Sequence, residues 1–199
     1  MQNLSSICLI IGLGNPDLPA ARHSPEYENT YHNVGQFFIS WIMKHKTWSI
    51  KNKYFVAIKI QDSGFRIQEK SLTIAKTLTY MNNSGNAVLA ALKYFNAKPE
   101  ELLIVHDDSD LALGTYKLQF GRGSAGHHGV ESVQTTLKTK DFWRLRIGIR
   151  PLPTGALVKE GRKKAGEFVL KKITATDKKI LEKVFEEILQ ILSSSTPKN

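Results

Sequence analysis

The hydrophobic positions of this 199-residue chain follow two periods that alternate along its length. Short apolar runs at residues 7–11 and 102–105 are typical of buried strands. Period-two patterns predict further strands at residues 54–61, 65–68, 72–76, 115–120 and 144–149. The first two of these are expected to form a hairpin around residues 62–64. Apolar residues three and four positions apart predict helices at residues 33–46, 84–95, 130–137 and 177–192. We therefore expect one α/β domain with a mixed sheet over residues 1–192, and a disordered tail at 193–199.

The composition is that of a globular protein, with 41% hydrophobic and 23% charged residues. The single cysteine, Cys8, cannot form an internal disulfide and lies in an apolar run, as expected of a core residue in a reducing compartment. That run is too short to span a membrane, and no basic region precedes it as in a secretory signal. We expect a cytoplasmic protein without a membrane partner.

The net charge of +10 favours a polyanionic partner such as nucleic acid, although a lysine-rich solvated surface is the alternative. Clustering supports the first interpretation, because basic residues close together can contact successive phosphates. The clustered residues are Arg144, Arg146, Arg150, Lys159, Arg162, Lys163 and Lys164.

The most polar segment follows the predicted strand at residues 102–105. His106, Asp107, Asp108 and Asp110 come first, and a glycine-rich turn with two adjacent histidines, His127 and His128, follows. Carboxylates and imidazoles at strand ends, beside glycines that let a substrate approach the backbone, are typical of an active-site cleft. A surface acidic turn and a plain glycine loop are the alternative.

Two further motifs lie upstream. Asn15 belongs to a glycine turn after the first strand, where Asp17 in place of a third glycine makes a dinucleotide site a weak interpretation. Its amide can hold a peptide group, or simply bond its own backbone. His32 lies at the start of a helix, where the dipole disfavours its charged form and leaves a neutral proton acceptor, but a structural or surface histidine is the alternative.

A fourth motif spans residues 79–85, before the helix at 84–95. It contains Tyr80 and Asn82, followed by Asn83 and Ser84. Either of the last two residues could cap the helix, which is as good an explanation of their presence as a role in a binding site.

Six motifs occur in a fixed order along the chain. They are GLGNP (12–16), YxxTxHNxG (27–35), TYMNxSGxAV (79–88), VHDDxDLxxG (105–114), GHHG (126–129) and FxRLRIGI (142–149). In this order they resemble the bacterial peptidyl-tRNA hydrolases, from about residue 7 to the last helix. The resemblance implies a twisted mixed sheet flanked by helices, of the peptidyl-tRNA hydrolase-like or phosphorylase/hydrolase-like type.

The resemblance also implies an activity, namely hydrolysis of the ester that joins a peptide to the terminal ribose of tRNA. By that likeness His32 is the general base that activates water, and Asp107 orients it, as carboxylates do for histidine bases. No metal or cofactor is expected, since such an ester is already activated. Peptidyl-tRNA is the expected partner, and the protein is expected to be a monomer.

The remaining roles implied by the resemblance concern substrate binding. Asn15 is expected to bind the first peptide group and Asn82 to position the substrate or the water. Tyr27 and Tyr80 are expected to line the cleft. Arg146 matches one half of a basic clamp on a tRNA phosphate.

The chain also departs from the family pattern. His128 replaces an asparagine that helps to hold the tRNA end, and Tyr31 replaces an arginine. Gln119 stands at the usual lysine of the clamp, so Lys117 is the expected substitute.

Two loops differ as well. The glycine loop has Ser124 and Ala125 where the family usually has histidine and glycine, which predicts a stiffer loop. Eleven residues separate Asn15 from Tyr27, several more than usual. Residues 151–161 are the segment that we assign as a lid.

Two other functions are alternatives. A non-catalytic RNA-binding protein of the same fold is favoured by the changed glycine loop and the basic charge, but opposed by retention of Asn15, His32, Asn82 and Asp107. A metal-dependent hydrolase would use donors that carry no metal-binding spacing of their own. Those donors are His106, Asp107, Asp108, His127 and His128.

Overall fold

The computed structural model describes residues 4–16, 27, 29–44, 47–60, 72–151, 166 and 168–194. Among them the strands are β1 (Leu9–Gly12), β2 (Ile50–Lys51), β3 (Phe55–Ile60), β4 (Leu72–Thr77), β5 (Leu102–Ala112), β6 (Tyr116–Phe120) and β7 (Trp143–Arg150). The helices are α1 (Val34–Ile42), α2 (Ser84–Phe95), α3 (His128–Leu137) and α4 (Ala175–Ser194). Short 3-10 helices span Leu4–Ser6, Tyr31–Asn33, Met81–Asn83 and Pro99–Glu101.

These strands form one sheet in the order β2-β3-β4-β1-β5-β7-β6. The central strands are parallel: β1 pairs in parallel with β4 and with β5, and β5 pairs in parallel with β7. The outer pairs β2–β3, β3–β4 and β6–β7 are antiparallel. The prediction of an α/β fold with a mixed sheet is confirmed.

Each face of the sheet carries its own hydrophobic core, because successive side chains of a strand point to opposite faces. Ile10 belongs to the core that α1 and α4 cover, with Phe38 and Phe185. Ile11 belongs to the core under α2 and α3, with Val88 and Val130. Within the described part of the chain, no helix combines the length and the apolar character needed to cross a membrane.

The helix predicted at residues 84–95 has those bounds in the structure. By contrast, β5 is much longer than the predicted strand at 102–105, because its pairing with β7 continues through His106 and Asp107. The expectation that the polar cluster follows a strand end is therefore wrong. It lies within β5, just past the carboxyl end of β1, whose pairing with β5 stops at Val105.

Several other bounds differ, and some predictions cannot be compared. The helix predicted at 33–46 spans only Val34–Ile42, after a 3-10 turn, because the chain turns at residues 43–44. The last helix spans Ala175–Ser194 and so includes the first two residues of the predicted disordered tail, and the short strand β2 was not predicted. The predicted strand at 65–68, nearly all of the assigned lid, and most of the loop between Asn15 and Tyr27 lie outside the described residues. So do Asp17 and the basic residues at 159 and 162–164.

Candidate active site

A glycine sets the position of His32. A Cβ at Gly35 would collide with the carbonyl oxygens of Val105 and Leu13, so only a glycine lets the first turn of α1 lie this close to β1 and β5. Backbone bonds hold the same place, since Gln36 N–H donates to the Leu13 carbonyl (3.1 Å). The 3-10 turn before α1 is thereby brought over the middle of β5.

The side chain of His32 meets Asp107 there. Nδ1 of His32 lies 3.0 Å from Oδ1 and 3.1 Å from Oδ2 of Asp107, which is only 2% exposed. An ionised carboxylate only accepts hydrogen bonds, so Nδ1 carries the proton. The other ring nitrogen, Nε2, is left as a proton acceptor, as a general base requires.

His127 is a second donor to the same carboxylate, with Nε2 2.9 Å from Oδ1 of Asp107. The family resemblance gives a substrate-binding role to His128, whereas only the metal hypothesis gives a role to His127. The loop backbone decides between them, because Ala125 and Gly126 both have positive φ (52° and 79°) and turn the chain before α3. His127 then faces inward, whereas the side chain of His128 is 78% exposed and lies 3.6 Å from Glu131.

These contacts fix the charges of the pair. Burial would raise the pKa of Asp107, but the charges of His32 and His127 and their hydrogen bonds lower it far below its usual range. Burial lowers the pKa of His32, yet the charge of Asp107 and the hydrogen bond to it outweigh burial and raise the pKa overall. The helix-dipole argument predicted a lower pKa for His32, and it is wrong because the carboxylate dominates.

His106 is buried next to Asp107 and packs against His127. It is 1% exposed, its Nδ1 lies 2.7 Å from the backbone oxygen of Asp107, and its ring packs edge-to-face on His127 (centroids 4.7 Å apart). Burial, with contributions from His127 and Arg144, lowers its pKa well below the usual value. His106 is therefore a neutral packing residue.

Among the described residues, one group has donor atoms close enough for a metal ion: His32, Asp107 and His127. The tautomer of His127 opposes metal binding, because the backbone N–H of Val130 donates to its Nδ1 (3.2 Å) and keeps the proton on Nε2. A metal bound at Nε2 would require the ring proton on Nδ1. That N–H would then point at the backbone N–H of Val130, and the hydrogen bond between them would be lost.

The other donors of the metal hypothesis are engaged elsewhere. His106 bonds the backbone, Asp108 pairs with Arg146, and His128 faces Glu131. The arrangement therefore fits a proton-transfer site better than a metal site.

A cavity of about 240 Å³ opens beside this cluster. It is the natural place for a substrate, because the base and its carboxylate form part of its wall. Its described lining is His32, Asp107, Asp108, Ser109, Ser124, Ala125, Gly126, His127, His128, Gly166 and Val169. Of the nine predicted site residues, His32, Asp107 and His128 belong to this lining.

A hydrogen bond joins the side chain of Asn15 to the 3-10 turn that carries Asn82, next to the cavity lining. Oδ1 of Asn15 accepts a hydrogen bond from the Met81 N–H (2.9 Å), which rules out an asparagine that bonds only its own backbone. Its amide nitrogen has no partner among the described residues and can donate to a substrate carbonyl. Asn82 is exposed on the 3-10 turn, and Met81 lies against Gly129, next to His127.

Capping does not explain the fourth motif. Ser84 donates to the Met81 carbonyl (2.8 Å), and Asn83 accepts from the side chain of Asn86 (2.5 Å), so neither caps a backbone N–H of α2.

The two predicted cleft tyrosines are on the surface or close to it. Tyr80 is 47% exposed beside Asn82. Tyr27 is partly exposed, and its carbonyl accepts from the backbone (3.2 Å) and hydroxyl (2.8 Å) of Thr30 at the turn that leads to His32. Neither belongs to the described lining of the cavity.

The arginines of β7 are not free surface cations. Arg146 donates to Asp108 (2.6 Å) and to Gln119 (2.6 Å), so the residue at the usual lysine position orients Arg146. Arg144 is 1% exposed, and burial, followed by the charge of Arg146, lowers its pKa to about 10. The prediction that Arg144 contacts phosphate at the surface is wrong. Lys117 is exposed directly opposite Arg146.

A histidine that keeps one basic nitrogen and is hydrogen-bonded to an ionised carboxylate at a cavity wall is the arrangement expected of a hydrolase that uses general base catalysis. The family model described as peptidyl-tRNA hydrolase matches residues 9–198. The chain belongs to the peptidyl-tRNA hydrolase family.

Individual relatives agree. The chain is 39% identical over 195 residues to a peptidyl-tRNA hydrolase of Sulfurihydrogenibium sp. (strain YO3AOP1), with 96% of this chain and 93% of the relative covered. It is 36% identical to that of Thermotoga petrophila, covering 92% and 88%. A crystal structure of peptidyl-tRNA hydrolase from Acinetobacter baumannii superposes with a TM-score of 0.73 at 28% identity, covering 94% and 87%.

Proposed function

We propose that this chain hydrolyses the ester between the peptide and the terminal ribose of peptidyl-tRNA and so releases tRNA for reuse. Family membership supports the reaction class. The observation that carries the mechanism is the 3.0 Å contact between His32 Nδ1 and Asp107 Oδ1, since it leaves Nε2 of His32 basic.

The reaction needs one proton acceptor that later becomes a proton donor. His32 Nε2 takes a proton from water as the water oxygen bonds to the ester carbonyl carbon. The resulting imidazolium is stabilised by Asp107. As the ester C–O bond breaks, Nε2 returns the proton to the ribose oxygen, which leaves a peptide acid and a tRNA hydroxyl.

Substrate contacts follow from the neighbouring groups. The amide of Asn15 donates to the first peptide group, which a free aminoacyl-tRNA lacks. Asn82 positions the substrate or the water, and Tyr27 and Tyr80 border the bound peptide and tRNA end. His128 donates one hydrogen bond to the tRNA end in place of an amide.

The tRNA backbone is bound by Lys117 and by Arg146, which are opposite each other on β6 and β7. The bonds from Nε and Nη1 of Arg146 to Asp108 and Gln119 orient its guanidinium, which has five N–H groups in all and can still donate to a phosphate. The enzyme acts as a monomer in the cytoplasm, where tRNA is recycled. The proposed reaction needs no metal or cofactor, because the ester to the ribose is already activated and one neutral imidazole suffices as the base.

A purely RNA-binding protein is the weaker hypothesis. Binding alone does not require a buried carboxylate to hold two imidazoles in fixed tautomers, because such a group is costly to bury unless it is fully hydrogen-bonded. Asp107 and His127 therefore favour catalysis.

The test is hydrolysis of N-acetyl-aminoacyl-tRNA beside unblocked aminoacyl-tRNA by wild type and His32→Asn. Asparagine can still donate to Asp107 but has no basic nitrogen, so kcat is expected to fall by about 100-fold or more. tRNA binding should be retained. Cleavage by the variant at the wild-type rate would remove His32 as the base, and tight binding without any cleavage by wild type would favour the RNA-binding alternative.

A further inference from the structure

The backbone that carries His32 is paired with the segment that leads into α4. His32 N–H donates to the Val169 carbonyl (2.8 Å), and Tyr31 N–H to the Lys171 carbonyl (3.1 Å). Thr30 forms an antiparallel bridge with Lys172. The base is thus held from behind by residues more than a hundred positions later in the chain.

The side chain of Tyr31 makes a second connection to the same part of the molecule. It is 6% exposed, and its hydroxyl donates to Oδ2 of Asp177 in the first turn of α4. Burial, followed by the hydrogen bond and charge of Asp177, raises the pKa of Tyr31 to about 12. The phenol therefore stays a donor over the whole pH range in which an imidazole titrates.

Helix α4 is a fixed point for this hydrogen bond. Phe185 packs edge-to-face against Phe37 and Phe38 (both 5.1 Å between centroids) and Trp41 (5.6 Å) of α1. The turn carrying His32 opens α1 itself. Asp177 and His32 are therefore connected in two ways. One is the packing of α4 on α1, and the other is the hydrogen bond from the Tyr31 hydroxyl to Asp177.

We propose that Tyr31 and Asp177 are positioning residues, whose hydrogen bond holds the 3-10 turn so that Nδ1 of His32 stays on Asp107. The proposal rests on the proposed function, in which His32 is the base. Tyr31 is not part of the described cavity lining, and its hydroxyl is bonded to Asp177 and not to Asp107. It acts through its neighbour, by limiting how far the turn can move.

The expected effect is on the turnover step. A small displacement of a catalytic group costs rate more than binding, so Tyr31→Phe is expected to lower kcat roughly tenfold and to change KM by less than about twofold. Asp177→Asn should act alike, and the double variant should be no slower than either single variant, because both remove the same bond.

The protonation of His32 supplies a readout that a merely structural role would not move. The groups facing His32 are Asp107 and His127, and the charge of Asp107 raises the His32 pKa. A looser turn weakens that contact, so the His32 pKa, measured by NMR titration of the ring, should fall in Tyr31→Phe. Tyr116→Phe is the matched control, since Tyr116 faces Glu187 of α4 but lies on β6.

Tyr31→Arg tests the bond in the other direction, because arginine can pair with Asp177. It should keep most of the wild-type kcat, and lose it when combined with Asp177→Asn. Unchanged kcat and an unchanged His32 pKa in Tyr31→Phe, with only a lower unfolding midpoint, would overturn the proposal. If the wild type shows no hydrolysis, the proposed function fails. The NMR titration still decides whether the hydrogen bond between Tyr31 and Asp177 positions His32 on Asp107.

Discussion

The two ring nitrogens of His127 have opposite roles: Nδ1 accepts from the backbone N–H of Val130 at 3.2 Å, and Nε2 donates to Asp107 at 2.9 Å. The start of α3 therefore selects the tautomer of a side chain in the site. Because the backbone amide cannot change its role, His127 presents a proton to Asp107 and not a lone pair.

This tautomer predicts insensitivity to chelators. Dialysis against EDTA should leave the rate of N-acetyl-aminoacyl-tRNA hydrolysis unchanged. His127→Ala should lower kcat by about 10- to 100-fold, as expected for loss of a charge-assisted hydrogen bond of about 1.5–3 kcal/mol. Activity that is lost in EDTA and returns with Zn²⁺ would contradict the tautomer argument.

The pH dependence follows from the raised pKa of His32. The base works when neutral, so kcat/KM should fall as pH drops, with a midpoint above the ordinary histidine value of 6.5. Asp107→Asn removes the charge that raises this pKa and leaves burial to lower it. The midpoint should then move to lower pH while kcat falls by about 100-fold. A midpoint that moves upward in Asp107→Asn would exclude Asp107 as the cause.

Replacement of His128 tests whether its imidazole takes the place of an amide. His128→Asn keeps one donor at the exposed start of α3 and should preserve or raise kcat/KM for N-acetyl-aminoacyl-tRNA. His128→Ala removes the donor and is expected to raise KM a few-fold, by about 1 kcal/mol of lost hydrogen bonding. Loss of activity in the asparagine variant would show that the histidine has a different role.

Lys117 should contribute to tRNA affinity through phosphate. Lys117→Ala is expected to weaken tRNA binding at low salt and to reduce the slope of log Kd against log salt by about one. Lys93→Ala is the control, because Lys93 is exposed in the last turn of α2, the end away from Asn82. An equal effect of both changes would indicate a general charge effect and no specific contact.

Gly35 should tolerate no side chain. Gly35→Ala forces a Cβ onto the carbonyl oxygens of Val105 and Leu13, and we expect a loss of about 1–3 kcal/mol in the free energy of unfolding, with reduced activity. Gly123→Ala is the matched control, since a Cβ there meets nothing within 4 Å. Urea unfolding of both variants measures the difference. An equal loss in Gly123→Ala would contradict the collision as the cause, because a Cβ there meets nothing and the lower entropy of the unfolded alanine chain favours folding.

Much of the framework could be predicted from the sequence because it depends on local patterns. Helix α2 has the predicted bounds, since its apolar positions repeat at helical spacing and the chain turns before Pro99. Strand β5 was underestimated because His106, Asp107 and Asp108 interrupt the apolar run, although pairing with β7 keeps them in the sheet.

The site was predictable only in part. His32 and Asp107, which the family likeness pairs, lie 3.0 Å apart, whereas the choice between His127 and His128 depends on two left-handed residues in the preceding loop. The contact of Asn15 with Met81 joins residues 66 positions apart, and no periodicity encodes it. The link between Tyr31 and Asp177 escaped the sequence analysis for the same reason.

His32 and Asp107 lie in parts of the molecule that differ in local stability, because Asp107 belongs to the long strand β5 and His32 to a short turn. Asp107 lies in an eleven-residue strand whose pairing with β7 runs from Leu103 through Asp108, so we expect its backbone to open to solvent only together with that ladder. His32 lies in a three-residue turn held by a short ladder, which opens at lower cost. On warming, we therefore expect the contact between His32 and Asp107 to be lost first, by movement of the turn that carries His32, and the proposed activity to be lost before the sheet melts.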